Sequence, residues 1–189
     1  LTRLLKRVGV QVDSEFYVND AGNQVQIFES SVSAIQNGLP VPENGYGGHF
    51  IDYIVENNTK DVSPVDFTIA YQKQTLIQFG CSFDTWFKET DLSKGQDILD
   101  VIKQHFSRFV YEKDGALWFK TTEFTDDKDR VLMKANGDLT YFASDIVYHL
   151  TKLERGYASI VNIWGADHHG YIPRLTSALQ AYNSKVSFK

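Results

Sequence analysis

The chain has 189 residues, 42% hydrophobic and 23% charged, with a formal net charge of −5. That is apolar material for one domain or one and a half; no run of it approaches the roughly 18 apolar residues of a membrane span. The acidic balance excludes a broad nucleic-acid-binding face, which would be basic, so nucleic-acid contacts are expected to be local.

The first residues, LTRLLKRVGV, have no uninterrupted apolar core or small-residue cleavage site and are not a signal peptide. Leu1, Leu4, Leu5 and Val8 fall at helical spacing, Gly9 is placed as a stop, and no N-cap precedes the helix. Its abrupt opening is expected of a chain cut from something longer. Val10 to Val18 reads as a strand. Val25, Phe28, Val32 and Ile35 predict a second helix, stopped near Asn37-Gly38. The stretch GLPVPENGYGG reads as a linker. A short helix follows around Phe50 and Ile54. Ser63-Pro64-Val65-Asp66 is a helix start, with Ser as N-cap, Pro at N1 and an acid near the positive end of the dipole. Phe67, Ala70, Tyr71, Gln74 and Ile77 continue that helix to Gly80. Cys81 to Phe87 is strand-like. The single cysteine, Cys81, excludes an internal disulfide, fits a reducing cytosol and reads as a small buried hydrophobe.

Ile98, Leu99, Ile102 and Phe106 mark another helix. Phe109 to Phe119 is a hairpin turned by Asp114-Gly115. Val131 to Met133 is a short strand and Asn136-Gly137 a turn. Thr140 to Ala143 reads as a strand, and Ile146, Leu150 and Leu153 as a helix ending at Gly156. Ser159 to Trp164 reads as a buried strand, and Leu175, Ala178, Leu179 and Tyr182 as a helix opened by Pro173. This alternation predicts a βαβα unit with a parallel sheet.

Ligands of open parallel sheets bind at the C-terminal ends of strands. Two segments qualify. In Tyr141-Phe-Ala-Ser-Asp145 a carboxylate beside an aromatic ring suits a guanidinium or ammonium group. Asp145 or Ser144 reads equally as a simple N-cap, with Tyr141 in the core. In Trp164-Gly-Ala-Asp-His-His-Gly170, Gly165 permits close backbone approach and Asp167 could accept from ribose hydroxyls; a polar turn remains the other reading. Asp167-His168-His169 invites a metal, but successive residues of an extended chain point to opposite sides. His149 reads as a packed or surface histidine, and Asp126 to Asp129 as a solvated loop. No G-x-x-x-x-G-K-[ST] occurs, and GYGGHF lacks the third glycine of G-x-G-x-x-G. Residues alone thus reach a cytosolic α/β protein with an anionic strand-end crevice and no phosphate loop.

Four stretches together resemble bacterial-type arginyl-tRNA synthetase, a class I enzyme. They are Tyr17-Val-Asn-Asp-Ala-Gly-Asn-Gln24, Tyr111-Glu-Lys-Asp-Gly-Ala-Leu-Trp-Phe119, Thr122-Glu-Phe-Thr-Asp-Asp-Lys-Asp-Arg-Val131, and Thr140-Tyr-Phe-Ala-Ser-Asp145 continuing through Leu153-Glu-Arg-Gly156 to Gly165-Ala-Asp-His-His-Gly-Tyr171. The resemblance covers nearly the whole chain. It implies a Rossmann-like catalytic domain, a parallel sheet with flanking helices, holding an inserted α+β connective subdomain. Residues 1–45 would be the first part of the catalytic domain, 46–119 the insertion and 120–189 the second part. The family's HIGH-type and KMSK-type motifs, its N-terminal tRNA-contacting domain and its anticodon domain are not in this sequence. The chain is therefore expected to be a truncated domain, inactive alone, with no catalytic residue in it.

The resemblance assigns Glu89, Tyr141, Asp145 and His168 to the arginine pocket, Gly165 and Asp167 to ATP, and Asp20 and Gln24 to the lining of the same crevice. It implies ATP bringing its own Mg²⁺, no protein-bound metal, arginine and tRNA(Arg) as partners, no membrane, and a cytoplasmic monomer. A metal-dependent phosphoesterase built on Asp167-His168-His169 and a non-catalytic interaction module are the competing readings.

Overall fold

The computed structural model describes residues 1–59, 61–92, 96–183, 185 and 187–188, without the side chains of Gln96 and Asp167. It divides into two units, Leu1–Asp91 and Leu92–Lys189.

The first unit begins with helix α1 (Thr2–Arg7), which has no buried residue and stops at Gly9, where φ is +83°. Strand β1 (Glu15–Val18) lies parallel to β2 (Thr85–Lys88), with Phe16 opposite Trp86 and Tyr17 opposite Phe87. Both strands are shorter than the expected 10–18 and 81–87. The ladder begins after Asp84, whose carboxylate accepts from Ser14 N and Ser14 Oγ, both at 2.8 Å. Four residues of partner allow four residues of strand. Three helices connect β1 to β2: α2 (Asn23–Gln36), α3 (His49–Asn57) and α4 (Pro64–Gln78). The Ser63 hydroxyl caps α4 by accepting from Asp66 N at 3.0 Å, as its sequence demands. The core is small: Val32, Ile51 and Ile54, with Phe28, Ile35, Val55 and Phe67 packed on them.

The second unit is denser. Helix α5 (Gln96–Phe106) precedes an antiparallel sheet of β3 (Val110–Lys113), β4 (Ala116–Phe119) and β5 (Arg130–Met133). The β3–β4 turn uses Asp114 at φ 52° and Gly115 at φ 75°, the paired positive φ of a tight hairpin. Helix α6 (Tyr141–Glu154) packs against α5, β5 and α7 (Ile172–Tyr182). Seven of its fourteen residues are buried. Phe106, Phe119, Leu132, Ile146, Leu150 and Leu175 form the interior. Strand β6 (Ser159–Ile160) pairs in parallel with β7 (Ser187–Phe188), so β6–α7–β7 is the one short βαβ unit among the described residues.

Two sequence expectations are overturned. Thr140 to Ala143 is not a strand: Thr140 is the N-cap residue of α6 and Tyr141 opens the helix. The Thr140 hydroxyl donates to Val131 O at 2.8 Å and its N–H to Leu132 O at 2.9 Å, turning the chain back onto β5. The expected parallel pairing of 140–143 with 159–164 therefore does not form. Nor is Ser159 to Trp164 a buried strand. Among the described residues only Ser159 and Ile160 are paired, while Val161 is 49% and Ile163 86% exposed. The result is a mixed α/β fold with two separate parallel strand pairs and one antiparallel sheet.

Candidate functional site

Tyr141, Asp145 and His149 are four apart on α6 and therefore share one face. Tyr141, at the first turn, is 83% exposed, so it is not a core residue. Asp145 is the fifth residue of the helix, which rules out the N-cap reading of its carboxylate. Burial pushes that carboxyl above its ordinary value; contact with Tyr171 and the more distant charges of Lys152 and His168 oppose the shift without cancelling it. Among the described residues, Asp145 forms no salt bridge. Burial, then the Asp145 charge, push the Tyr171 phenol far up, so its proton stays on. The Tyr171 oxygen sits beside the carboxylate but is buried without a hydrogen bond of full geometry. Arg174 lies one turn on, its guanidinium 4.6 Å from the Tyr171 ring and its Nε buried without a hydrogen-bond partner among the described residues.

Asp126 of this unit is more deeply buried than Asp145. Its loop was expected to be solvated, yet the Asp126 side chain is only 1% exposed. Arg130 Nε donates to Asp126 Oδ2 at 2.7 Å and Nη2 to Oδ1 at 2.6 Å, a forked contact. Burial works against ionisation there, but Arg130 and the Asp127 N–H outweigh it and hold the carboxyl at about 2. Asp129 accepts from Thr122 Oγ1 at 2.7 Å and Tyr111 Oη at 2.8 Å. These bonds lock the segment that the sequence presents as loose charge.

Gly165 ends an extended stretch at φ −64°, ψ 157° and leads into a 3₁₀ turn, Ala166–Tyr171. His168 and His169 are exposed on it. The His168 ring lies 5.9 Å from that of Trp164. The side chain of Asp167 lies outside the described residues. Among the described residues no three His, Cys, Asp or Glu are grouped to hold a metal ion.

In the first unit, Glu89 follows β2 in a 3₁₀ turn, Glu89–Asp91. With the amide oriented to satisfy both its ends, Asn19 donates to Glu89 Oε2 at 2.7 Å and to Ala21 O at 3.2 Å. The carboxylate of Asp20 accepts from Thr90 N at 2.9 Å and from Thr90 Oγ1 at 2.7 Å, so it fastens that turn. Gln24 lines a cleft of about 370 Å³ with Tyr17, Asn19, Phe28, Tyr46 and Gln72. Glu89 thus belongs to the first unit, whereas Tyr141, Asp145 and His168 belong to the second. Cys81 is exposed, contrary to its reading as a buried hydrophobe.

Sequence reasoning missed Tyr171 as a neighbour of Asp145, and Arg174 stacked on the Tyr171 ring. Their signal was the polar–aromatic pair at three-residue spacing where the DHHGY stretch enters α7. It also missed Asn162, hidden in an apolar run.

No family model matches the chain. Curated relatives do. The arginine–tRNA ligase of Elusimicrobium minutum is 40% identical over 96% of this chain and 36% of its own length. That of Oceanobacillus iheyensis is 42% identical over 98% and 38%, and that of Renibacterium salmoninarum 44% identical over 93% and 35%. The chain therefore spans little more than a third of the length of the curated relatives it matches. Among solved structures, a Campylobacter jejuni protein described as an arginyl-tRNA synthetase superposes at a TM-score of 0.81 with 30% identity, over 99% of this chain and 47% of its own. The arginyl-tRNA synthetase of Thermus thermophilus shares the fold at a TM-score of 0.63 and 16% identity, over 99% of this chain and 42% of its own. Sequence and fold agree that, over nearly its whole length, this chain is homologous to one stretch of the arginyl-tRNA synthetase family.

Proposed function

We propose that the chain supplies the arginine pocket and part of the adenosine site of an arginyl-tRNA synthetase. In the full-length protein it would take part in joining arginine to ATP, releasing pyrophosphate, and passing the arginyl group to tRNA(Arg). The observation that carries this is Asp145: a half-buried carboxylate with an aromatic hydroxyl beside it and no salt bridge among the described residues. An acid of that kind is costly alone and favourable with a planar cation that can donate twice. Tyr141, one turn earlier on the same face, offers its ring to the same guanidinium. His168 is proposed as a polar wall of the same pocket.

Gly165 and Asp167 are proposed to meet the adenosine. Magnesium would arrive on the nucleotide. The chemistry requires no nucleophile from this chain; these residues bind and orient, and positioning accounts for their part of the rate. Residues 1–45 and 120–189 are proposed as parts of a Rossmann-like catalytic domain, 46–119 as its connective insertion, and the cytoplasm as its compartment, with the enzyme acting as a monomer.

The test is arginine-dependent ATP–pyrophosphate exchange by the full-length protein, with tRNA present. Exchange should require arginine, and Asp145→Asn should raise the KM for arginine far more than that for ATP. Unchanged arginine kinetics in Asp145→Asn would refute the assignment. The isolated 189-residue chain should show background exchange only; clear turnover by it would contradict the expectation that the phosphoryl chemistry lies elsewhere.

A further inference from the structure

His149 is 2% exposed and lies within α6, a position that leucine would fill at no polar cost. Both of its ring nitrogens are nevertheless engaged. Nδ1 lies 2.7 Å from the backbone carbonyl of Asp145, and Nε2 lies 2.7 Å from the side-chain nitrogen of Asn162. A carbonyl only accepts, so Nδ1 carries the proton and Nε2 accepts from the Asn162 amide. The two partners belong to the two segments that the proposed pocket needs together. One is the α6 turn bearing Asp145. The other is the stretch 161–164, which belongs to no strand or helix and leads into Gly165 and His168. On that stretch Val161 and Ile163 face outward, and Asn162 between them faces inward. The strand before it is paired over only two residues.

We propose that His149 and Asn162 form a buried bridge that positions the Asp145 turn against the segment carrying Gly165 and His168. This inference rests on the arginine-pocket reading given above. Burial, helped by the nearby Lys152 charge, lowers the histidine to about 3, so the ring is neutral and keeps one tautomer. Neither residue touches substrate; both are positioning residues.

The bridge predicts a pattern that simple packing would not. In histidine's place, an asparagine amide occupies the Nδ1 position and a glutamine amide the Nε2 position. Asn162→Ala and His149→Asn should each break the link and raise the KM for arginine about tenfold, since a buried partner is left unpaired. His149→Gln keeps the link to Asn162 and should stay within about threefold of wild type. The measurement is arginine- and ATP-dependent exchange by the full-length protein, with a circular-dichroism melt of each variant. A long-range ¹H–¹⁵N spectrum of the wild type should show His149 as the neutral Nδ1–H tautomer. A folded Asn162→Ala with unchanged arginine KM, or a His149 protonated at Nε2, would overturn the bridge alone. A wild type without arginine-dependent exchange would overturn the pocket reading and the bridge's role with it.

Discussion

Asp126 and Asp145 are both carboxylates drawn into the second unit, Asp126 buried and Asp145 half-buried, and they differ in their partners. Asp126 has its arginine: the Arg130 fork satisfies both oxygens, and the acid ionises readily, near 2. Asp145 has no salt bridge among the described residues, and burial raises its carboxyl. The same fold thus shows a closed carboxylate–guanidinium pair and half of one. Filling the open half with a free guanidinium would reproduce what Arg130 does for Asp126. A buried pair is strongly destabilised when one member is removed, because the other is left as an uncompensated charge.

The largest effect should come from opening the closed pair. Arg130→Met leaves Asp126 buried and unpaired and should lower stability by about 3–5 kcal/mol, read from urea unfolding. A loss below about 1 kcal/mol would mean that solvent reaches Asp126 and the contrast is false.

Asp145→Asn should do the reverse, stabilising the unliganded protein by roughly 1 kcal/mol while weakening arginine binding. The two acids also differ in pH dependence. Asp145 titrates above its ordinary 3.8 in the folded protein, so ionising it costs stability as pH rises through that raised value. The gain from Asp145→Asn should therefore be full above that raised value and vanish below 3.8, where the carboxyl is protonated folded or unfolded. Asp126 titrates near 2, so its contribution is fully present above 3.8 and is lost as pH falls through 2. Urea titrations of both variants across pH would show slopes of opposite sign.

The smallest effects belong to exposed features. Ile163→Ser, at a side chain 86% exposed, should change stability by no more than about 0.5 kcal/mol. Lys6→Ala, which removes an exposed ion pair with Asp84 at 3.1 Å, should fall within about 1 kcal/mol. A large loss from either would show that this surface is covered in the full-length protein.

The sequence was most readable where local chemistry decides. Ser63-Pro64-Val65-Asp66 caps α4 as written, Asp114-Gly115 turns its hairpin, and the apolar spacing of Ile98, Leu99, Ile102 and Phe106 places α5. It misled where tertiary partners decide. The Tyr141-Phe-Ala run is aromatic enough for a strand, but the Thr140 bonds to β5 convert it to a helix start. SIVNIW has the composition of a buried strand, yet among the described residues only two of its residues are paired, and Val161 and Ile163 are exposed. The charged DDKDR loop concealed a buried pair, because spacing alone cannot show that Arg130 folds back onto Asp126. Asp145 was legible as a site candidate from its aromatic neighbour, but Tyr171, which acts on it, comes from a segment 26 residues on that only the fold brings close.

The central claim is that the Asp145 site is built for a cation it does not itself possess. Calorimetric titration of the full-length protein with arginine and with citrulline, its neutral near-isostere, tests this most directly. Arginine should bind at least about 30-fold more tightly, the discrimination expected when a buried carboxylate is left without its charge partner, and Asp145→Asn should abolish the difference. Equal affinities for the two ligands in the wild type would contradict it.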